Sequence, residues 1–278
     1  MGGGQAALFE QCADGRLAAA KGAVERHRIA GVTGADISLE SSLEMRVLAL
    51  DTTTRAGSVA IVDDGRVVDE RGGDASRTHA ERLPGEILAL ADANQTPLAS
   101  VDVFAVASGP GSFTGLRIGI ATLQGIAVVQ GRKMVGVPAL EALAQHASSD
   151  LPAGARVAAW MDAYRRDVFT ALYRVTGAPM FDPDRLVEIE APSVGTPAST
   201  WARWGDGPGI PAVVIGDGAV LFHETIASAR VLPPPRLAGA IGRLAAIYAE
   251  RGAAVHPAGI QPLYVRRPDA EVARDRER

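Results

Sequence analysis

A chain of 278 residues, 47% hydrophobic and 22% charged, carries enough apolar side chain for one large domain or two small ones. Its formal net charge of -4 gives no general electrostatic reason to hold nucleic acid, and its single cysteine, Cys12, excludes an internal disulfide and a zinc site built on several thiolates. No apolar run approaches the roughly 20 residues that span a bilayer, and no basic segment leads into an apolar core at the start, so the cytoplasm is the expected compartment.

Residues 1 to 44 carry no strand pattern, and their one helical stretch, about Gln5 to His27, is alanine-rich with a thin apolar face. They read as an extension ahead of a start at Met45, as a loosely attached arm, or as a docking helix. From Met45 the pattern sharpens. RVLALDTTT (Arg46 to Thr54) and GSVAIVDD (Gly57 to Asp64) predict a hairpin, continued across Asp64-Gly65 into RVVDE, where an Asp-Gly pair favours a tight turn. A helix is expected from His79 to about Asp92, with Leu83, Ile87 and Leu90 on one face.

VFAVAS (Val103 to Ser108) is a short apolar run suited to a strand covered on both sides. It runs into SGPGSFTGLRIG, a glycine-dense turn opening a helix from Leu116 to Val129. Gly109 and Gly111 let backbone approach something closely, and Ser112 or Thr114 can cap the helix. The unpaired N–H groups of such a helix start can receive a phosphate, a carboxylate or another protein's loop, whereas many such turns bind nothing. That helix is apolar nearly all round and must be covered on more than one side. KMVGVP is a further strand and LEALAQHA a further helix.

After a linker at Ser148 to Ala155 the pattern begins again. VAAWMDAYRRDVFTALYRV repeats the earlier strand, polar turn and strand, with Asp162 in the place of Asp51. RLVEIE is a strand, Ala191 to Pro211 is expected to be a Pro/Gly-rich loop, and AVVIGDG is a buried strand ending in a glycine turn around Asp217. A helix from Leu237 to about Arg251 precedes the tail QPLYVRR. Two halves are therefore expected, 45–150 and 151–235, with a closing segment 236–278 that returns to the first.

LALDTTT, SGPGSFTGLRIG, MDAYRRDVFTALY, VIGDG and PLYVRR, in that order, resemble the bacterial TsaB family, also called YeaZ, over Met45 to Arg267. The resemblance implies an α/β fold of the actin, sugar-kinase and Hsp70 type, with two subdomains each built on a mixed sheet of ribonuclease-H type. It also implies a partner role. TsaB proteins assist TsaD, which transfers a threonylcarbamoyl group to the adenosine beside the anticodon of tRNAs reading codons that begin with A. TsaE, an ATPase, joins them, and tRNA is met only within the complex. In the family, the helices at 79–92 and 116–129 pack against TsaD, or against a second copy when free. Leu83, Ile87, Leu90, Ile120, Leu123 and Val128 are the candidate interface here, with ordinary core as the competing reading.

TsaD is similar in outline and carries GV-x-H-L-E-G-H, whose two histidines bind its metal. The matching stretch here is Gly136 to Leu143, with Ala139 and Leu143 in the histidine positions, and neither side chain can donate a lone pair. No two of the five histidines stand at the i, i+4 spacing. No cofactor and no metal are expected, and a metallopeptidase is chemically implausible. An ATP-dependent phosphotransferase of the same fold is the alternative, resting on Asp51, Thr53, Asp162 and Asp217 as a vestigial nucleotide cleft. Against it, the DTTT triplet lacks glycine, Asp162 is followed by the bulky Ala163-Tyr164-Arg165-Arg166, and no GxxxxGK[ST] loop exists. Ser58 and Ser112 lack a G-x-S-x-G context. His79 with Glu81 reads as a surface helix start before it reads as an acid/base pair.

Overall fold

The computed structural model describes residues 45 to 226 and 228 to 266. The extension 1–44 and the residues beyond Arg266 lie outside the described residues. β1 (Arg46–Asp51), β2 (Ser58–Asp63), β3 (Arg66–Gly72), β4 (Val103–Gly109) and β5 (Lys133–Pro138) form one sheet in the order β3-β2-β1-β4-β5. β6 (Arg156–Asp162), β7 (Val168–Val175), β8 (Leu186–Gly195), β9 (Val213–Ile215) and β10 (Arg230–Leu232) form the second, in the order β10-β9-β6-β7-β8. In each sheet the first strand pairs antiparallel with the second and parallel with the fourth. The two sheets thus share one topology, and Asp51 and Asp162 end equivalent strands.

Strand alternation sorts side chains between two layers. In β1, Leu48 and Leu50 face α1 (His79–Ala93) and α2 (Phe113–Val129), while Val47 and Ala49 face the interior between the sheets. That interior holds α3 (Ala139–Ala147) and α6 (Ala238–Glu250), with α6 laid along the first sheet. Beyond the second sheet, α4 (Pro197–Asp206) and α5 (Asp217–Leu221) cover Trp160 on β6. The N–H groups that open α6 are taken up by the first half: Leu237 and Ala238 donate to Ser58 Oγ at 3.1 and 2.9 Å, and Gly239 donates to Glu70 Oε1 at 2.9 Å. The closing helix is therefore fixed to the first sheet at its start as well as along its length. Among the described residues no helix is long and apolar enough to cross a membrane.

One expectation fails. The stretch Ala191 to Pro211 is not a loop: β8 runs to Gly195, and α4 then carries Trp204 into the core beside Trp160, ring centroids 5.9 Å apart. Thr196 caps that helix by accepting from Ser199 N, and Pro197 occupies its first turn, where a missing N–H costs nothing. The proline read as a loop marker is a helix start.

Candidate functional site

The glycine-dense turn after β4 meets its own chain. A Cβ on Gly111 would lie 2.6 Å from Thr53 Cβ, one on Gly115 2.3 Å from Thr52 O, and one on Gly119 2.2 Å from Thr52 Oγ1. Ser112 N donates to Thr53 O at 2.8 Å, and Ser112 Oγ accepts from Gly115 N at 3.2 Å as the helix cap. Thr114 is exposed on the first turn of α2 and is not the cap. Gly109 holds a positive φ of 117° beside the tail, where Leu263 N donates to Ser108 O at 2.7 Å. The close approach expected of this loop is met by the end of β1 and by the tail.

The candidate nucleotide cleft is turned inward in the same way. Asp51 is buried and accepts from Thr53 N at 2.8 Å and Thr53 Oγ1 at 2.6 Å. Burial pushes its carboxyl above the usual range, and the like charges of Glu70 and Asp217 add to this. Asp217 Oδ1 accepts from Asp162 N at 3.0 Å and Gly218 N at 2.9 Å, and burial raises its carboxyl too. Asp162 Oδ1 in turn accepts from Tyr164 N at 2.8 Å. The three aspartates gather where the halves meet, and each already holds backbone or threonine of this chain.

His79 is structural. Its Nδ1 accepts from Arg82 Nη2 at 2.9 Å, which leaves Nε2 to donate to Thr54 O at 3.0 Å, so both nitrogens are occupied in the neutral ring. Burial lowers its pKa accordingly. Glu81 closes a capping box with Thr78. The tail motif joins the halves: Arg266 Nη1 donates to Ala163 O at 2.7 Å and its guanidinium pairs with Asp167. Tyr264 stacks against Phe113 at 5.0 Å and accepts from Arg117 Nε at 2.8 Å.

Five of the six residues taken as a partner surface are core of this chain. Leu83, Ile87, Leu90, Ile120 and Leu123 are buried with Leu48, Leu50, Phe104 and Val106 under the first sheet. Their spacing of three and four residues is the stripe that an amphipathic helix turns toward its own sheet. Only Val128 is exposed, at 58%. The outward faces of α1 and α2, which pack side by side, carry a different set: Leu88 (51%), Val129 (80%) and Val128, with the exposed Gly85, Ala89, Ala121 and Gly125 between them. A Cβ on Gly85 or Gly125 would meet nothing within 4 Å. A mid-helix glycine costs about 1 kcal/mol against alanine, and nothing among the described residues requires either one. The signal in the sequence was the residues that break the core stripe while remaining small or apolar.

Ala139 and Leu143 are buried in the apolar interior at the start of α3. No cluster of three or more His, Cys, Asp or Glu side chains placed to hold a metal occurs among the described residues. Between them in sequence, Glu141 was not singled out. It accepts from Tyr248 Oη at 2.6 Å, and burial, reinforced by Glu188, raises its carboxyl to about 7. The unfolded chain releases that proton near the ordinary 4.5, so between the two values the folded form binds more protons and stability falls as pH rises. Glu141→Gln, which faces Tyr248 from α6, Tyr173 from β7 and Glu188 from β8, removes this loss. The variant is expected to gain up to about 3 kcal/mol on the parent between about pH 5 and about pH 8, read as the difference between their denaturant melts. A constant difference across that range would contradict the assignment.

Residues 66–189 match the family model for TsaD, described as tRNA N6-adenosine threonylcarbamoyltransferase. The chain is 33% identical over 191 residues to the tRNA threonylcarbamoyladenosine biosynthesis protein TsaB of Escherichia coli, covering 64% of this chain and 81% of that protein. It is 35% identical over 228 residues to an uncharacterized protein of Mycobacterium tuberculosis, covering 81% of this chain and 93% of the other. The solved structure of YeaZ from Pseudomonas aeruginosa superposes with a TM-score of 0.64 at 30% identity, over 79% of this chain and 99% of that one. Duplicated mixed sheets of one topology, the glycine turn locked onto β1 and these likenesses lead to one conclusion: the chain belongs to the TsaB (YeaZ) family and has the fold of the actin and sugar-kinase type.

Proposed function

We propose that this chain is the non-catalytic partner of TsaD in forming N6-threonylcarbamoyladenosine beside the anticodon of tRNAs that read codons beginning with A. The observation that carries the reading is the outward face of α1 and α2. Gly85 and Gly125 are exposed helix-interior glycines with open space where a Cβ would stand, flanked by exposed Leu88, Val128 and Val129. Missing side chains on two adjacent helices let another pair of helices approach closely, and the flanking leucine and valines supply the apolar area that drives association. Apolar Ala139 and Leu143 at the positions of TsaD's metal histidines support a role without transfer chemistry of its own. In this reading TsaE and tRNA are met through the TsaB–TsaD pair, and a second copy takes the same face when TsaD is absent.

Mixing the purified chain with TsaD of the same organism tests the pairing. A single peak on a sizing column containing both proteins is expected, and separate elution at micromolar concentration would overturn it.

A further inference from the structure

Where the two halves meet away from the three aspartates, a cavity of about 300 Å³ is lined by Pro138 and Glu141 from the first half, Tyr173, Leu186, Glu188 and Pro192 from the second, and Leu263 from the tail. This volume is at the small end of ligand pockets. Its walls are proline and leucine, and its polar groups are two carboxyls and a phenol.

Among the described residues, none of those polar groups is matched by a cation. Glu141 accepts one hydrogen bond, from Tyr248 Oη, and forms no ion pair with a described residue. Glu188 stands directly across from Tyr173 in the β7–β8 register, is exposed to solvent on its outer side, and likewise forms no hydrogen bond or ion pair with a described residue. Tyr173 is only 4% exposed, yet its hydroxyl has no hydrogen-bond partner among the described residues. That hydroxyl is not among the fully buried polar atoms of the described residues, so it opens onto the cavity that Tyr173 lines. A partner for it would stand in the cavity.

We propose that this cavity binds a small organic cation, a primary ammonium or a guanidinium on a short apolar stem, with Glu141 and Glu188 taking the charge, Tyr173 Oη accepting a further N–H and the Pro–Leu walls packing the stem. An anion meets two carboxyls and no basic group. A divalent metal ion finds only two carboxylates between apolar walls, too few oxygens for calcium, and three or more His, Cys, Asp or Glu ligands do not converge among the described residues. The stem fits because the walls are apolar, and the charge fits because neither carboxyl has a counter-ion among the described residues. The elevated proton affinity of Glu141, caused first by burial and then by Glu188, agrees with a site whose negative charge is unsatisfied until a cation arrives.

The same chemistry is offered by a free alkylamine and by a lysine or arginine side chain on another protein, and one experiment separates them. The full chain is titrated calorimetrically with n-butylammonium and n-butylguanidinium chlorides, with n-butanol and magnesium chloride as controls. Saturable binding of a cation is expected, weakened about tenfold or more in Glu141→Gln and in Glu188→Gln, and several-fold in Tyr173→Phe. A dissociation constant of about 1 mM or tighter identifies a free small-molecule ligand. A weaker one, near about 10 mM yet still lost in the carboxyl variants, identifies a side chain presented by a partner whose remaining contacts supply the affinity. Melting curves for each variant establish that it is folded, which for Glu141→Gln the loss of a buried charge favours. Absence of saturable binding by either cation, or binding indifferent to both carboxyl substitutions in folded protein, would overturn the proposal, as would equal binding of n-butanol.

Discussion

A chain carrying both Gly125→Glu and Val128→Asp is expected to fold as the parent does and to lose at least about 100-fold of its affinity for TsaD. Both positions point to solvent from α2, and a Cβ added at Gly125 would meet no described atom within 4 Å. Replacing a helix-interior glycine should even add helical stability, by up to about 1 kcal/mol. At a close helix–helix contact the same two changes bury two unpaired carboxylates, each costing about 3 kcal/mol or more. Leu88→Asp on α1 is expected to act in the same direction. The control is Leu123→Ala on the opposite side of α2, where a fully buried leucine is lost: about 2–5 kcal/mol of folding stability, with binding by the remaining folded protein little changed. Calorimetric titration and denaturant melts on the same four proteins read both quantities. If the double variant binds as the parent does, this face is not the contact.

Gly119→Ala is expected to destabilise the fold by about 1–3 kcal/mol or more, and Gly119→Val by more again. The new Cβ would stand 2.2 Å from Thr52 Oγ1, 2.8 Å from Thr52 Cγ2 and 3.0 Å from Thr52 Cβ. Those first two atoms belong to a side chain that can be shortened. Thr52 Oγ1 is buried without a hydrogen-bond partner, so Thr52→Ala removes no bond and is expected to cost little alone. In the double variant Thr52→Ala/Gly119→Ala most of the loss should return, giving a coupling of the size contacting residues show. Gly115→Ala is the contrast: its Cβ would stand 2.3 Å from the carbonyl oxygen of Thr52, and no side-chain substitution relieves a clash with backbone. Rescue at Gly119 with none at Gly115, measured by denaturant melts, is the expected pattern. Equal rescue at both, or none at either, would show that the turn is not locked onto β1 as described.

These glycines show how far the sequence could be read. Strands and helices with a clear period were legible: β2, β4 to β7 and α1, α3 and α6 lie within a residue or two of their expected positions, because each has one period and one burial pattern, and β1 starts as expected but ends three residues early, at Asp51. The sheet order was not read from periodicity; the family resemblance implied two mixed sheets of ribonuclease-H type, and the strand order is seen only in the structure. The region 191–211 was misread because composition was weighed above position, and Pro197 after Thr196 is a helix start. β10 has three residues, and its pairing with β9 is made by tertiary contact alone.

The site was harder. That Gly109 and Gly111 mark a close approach was legible, but not that Gly119 on the helix does so too, nor that Gly111 and Gly119 close onto Thr53 and Thr52, some sixty residues earlier in the chain. A strand-to-helix glycine turn looks the same whether its neighbour is a phosphate or a strand end. On α1 and α2 the strongest apolar periodicity led to Leu83, Ile87, Leu90, Ile120 and Leu123, and periodic apolar residues on a helix of a globular domain are the ones its own sheet buries. A partner face must be sought among what is left over, here Leu88, Val129 and the two glycines. Glu141 gave no signal, since one glutamate in LEALAQHA reads as the solvent side of a helix. It is half-buried, and its partial shelter follows from Tyr248 and Tyr173 converging from elements far away in the chain.

The central claim is that this chain keeps the frame of a transferase and acts through a companion. The most direct measurement is threonylcarbamoyladenosine formed on unmodified tRNA supplied with the activated threonylcarbamoyl donor, comparing this chain alone, TsaD with TsaE, and all three together. The account predicts no product from this chain alone, and product from the three together well above that of TsaD with TsaE, falling back to the lower level with the Gly125→Glu/Val128→Asp variant. Modified tRNA from this chain alone, or a yield indifferent to its presence, would contradict it.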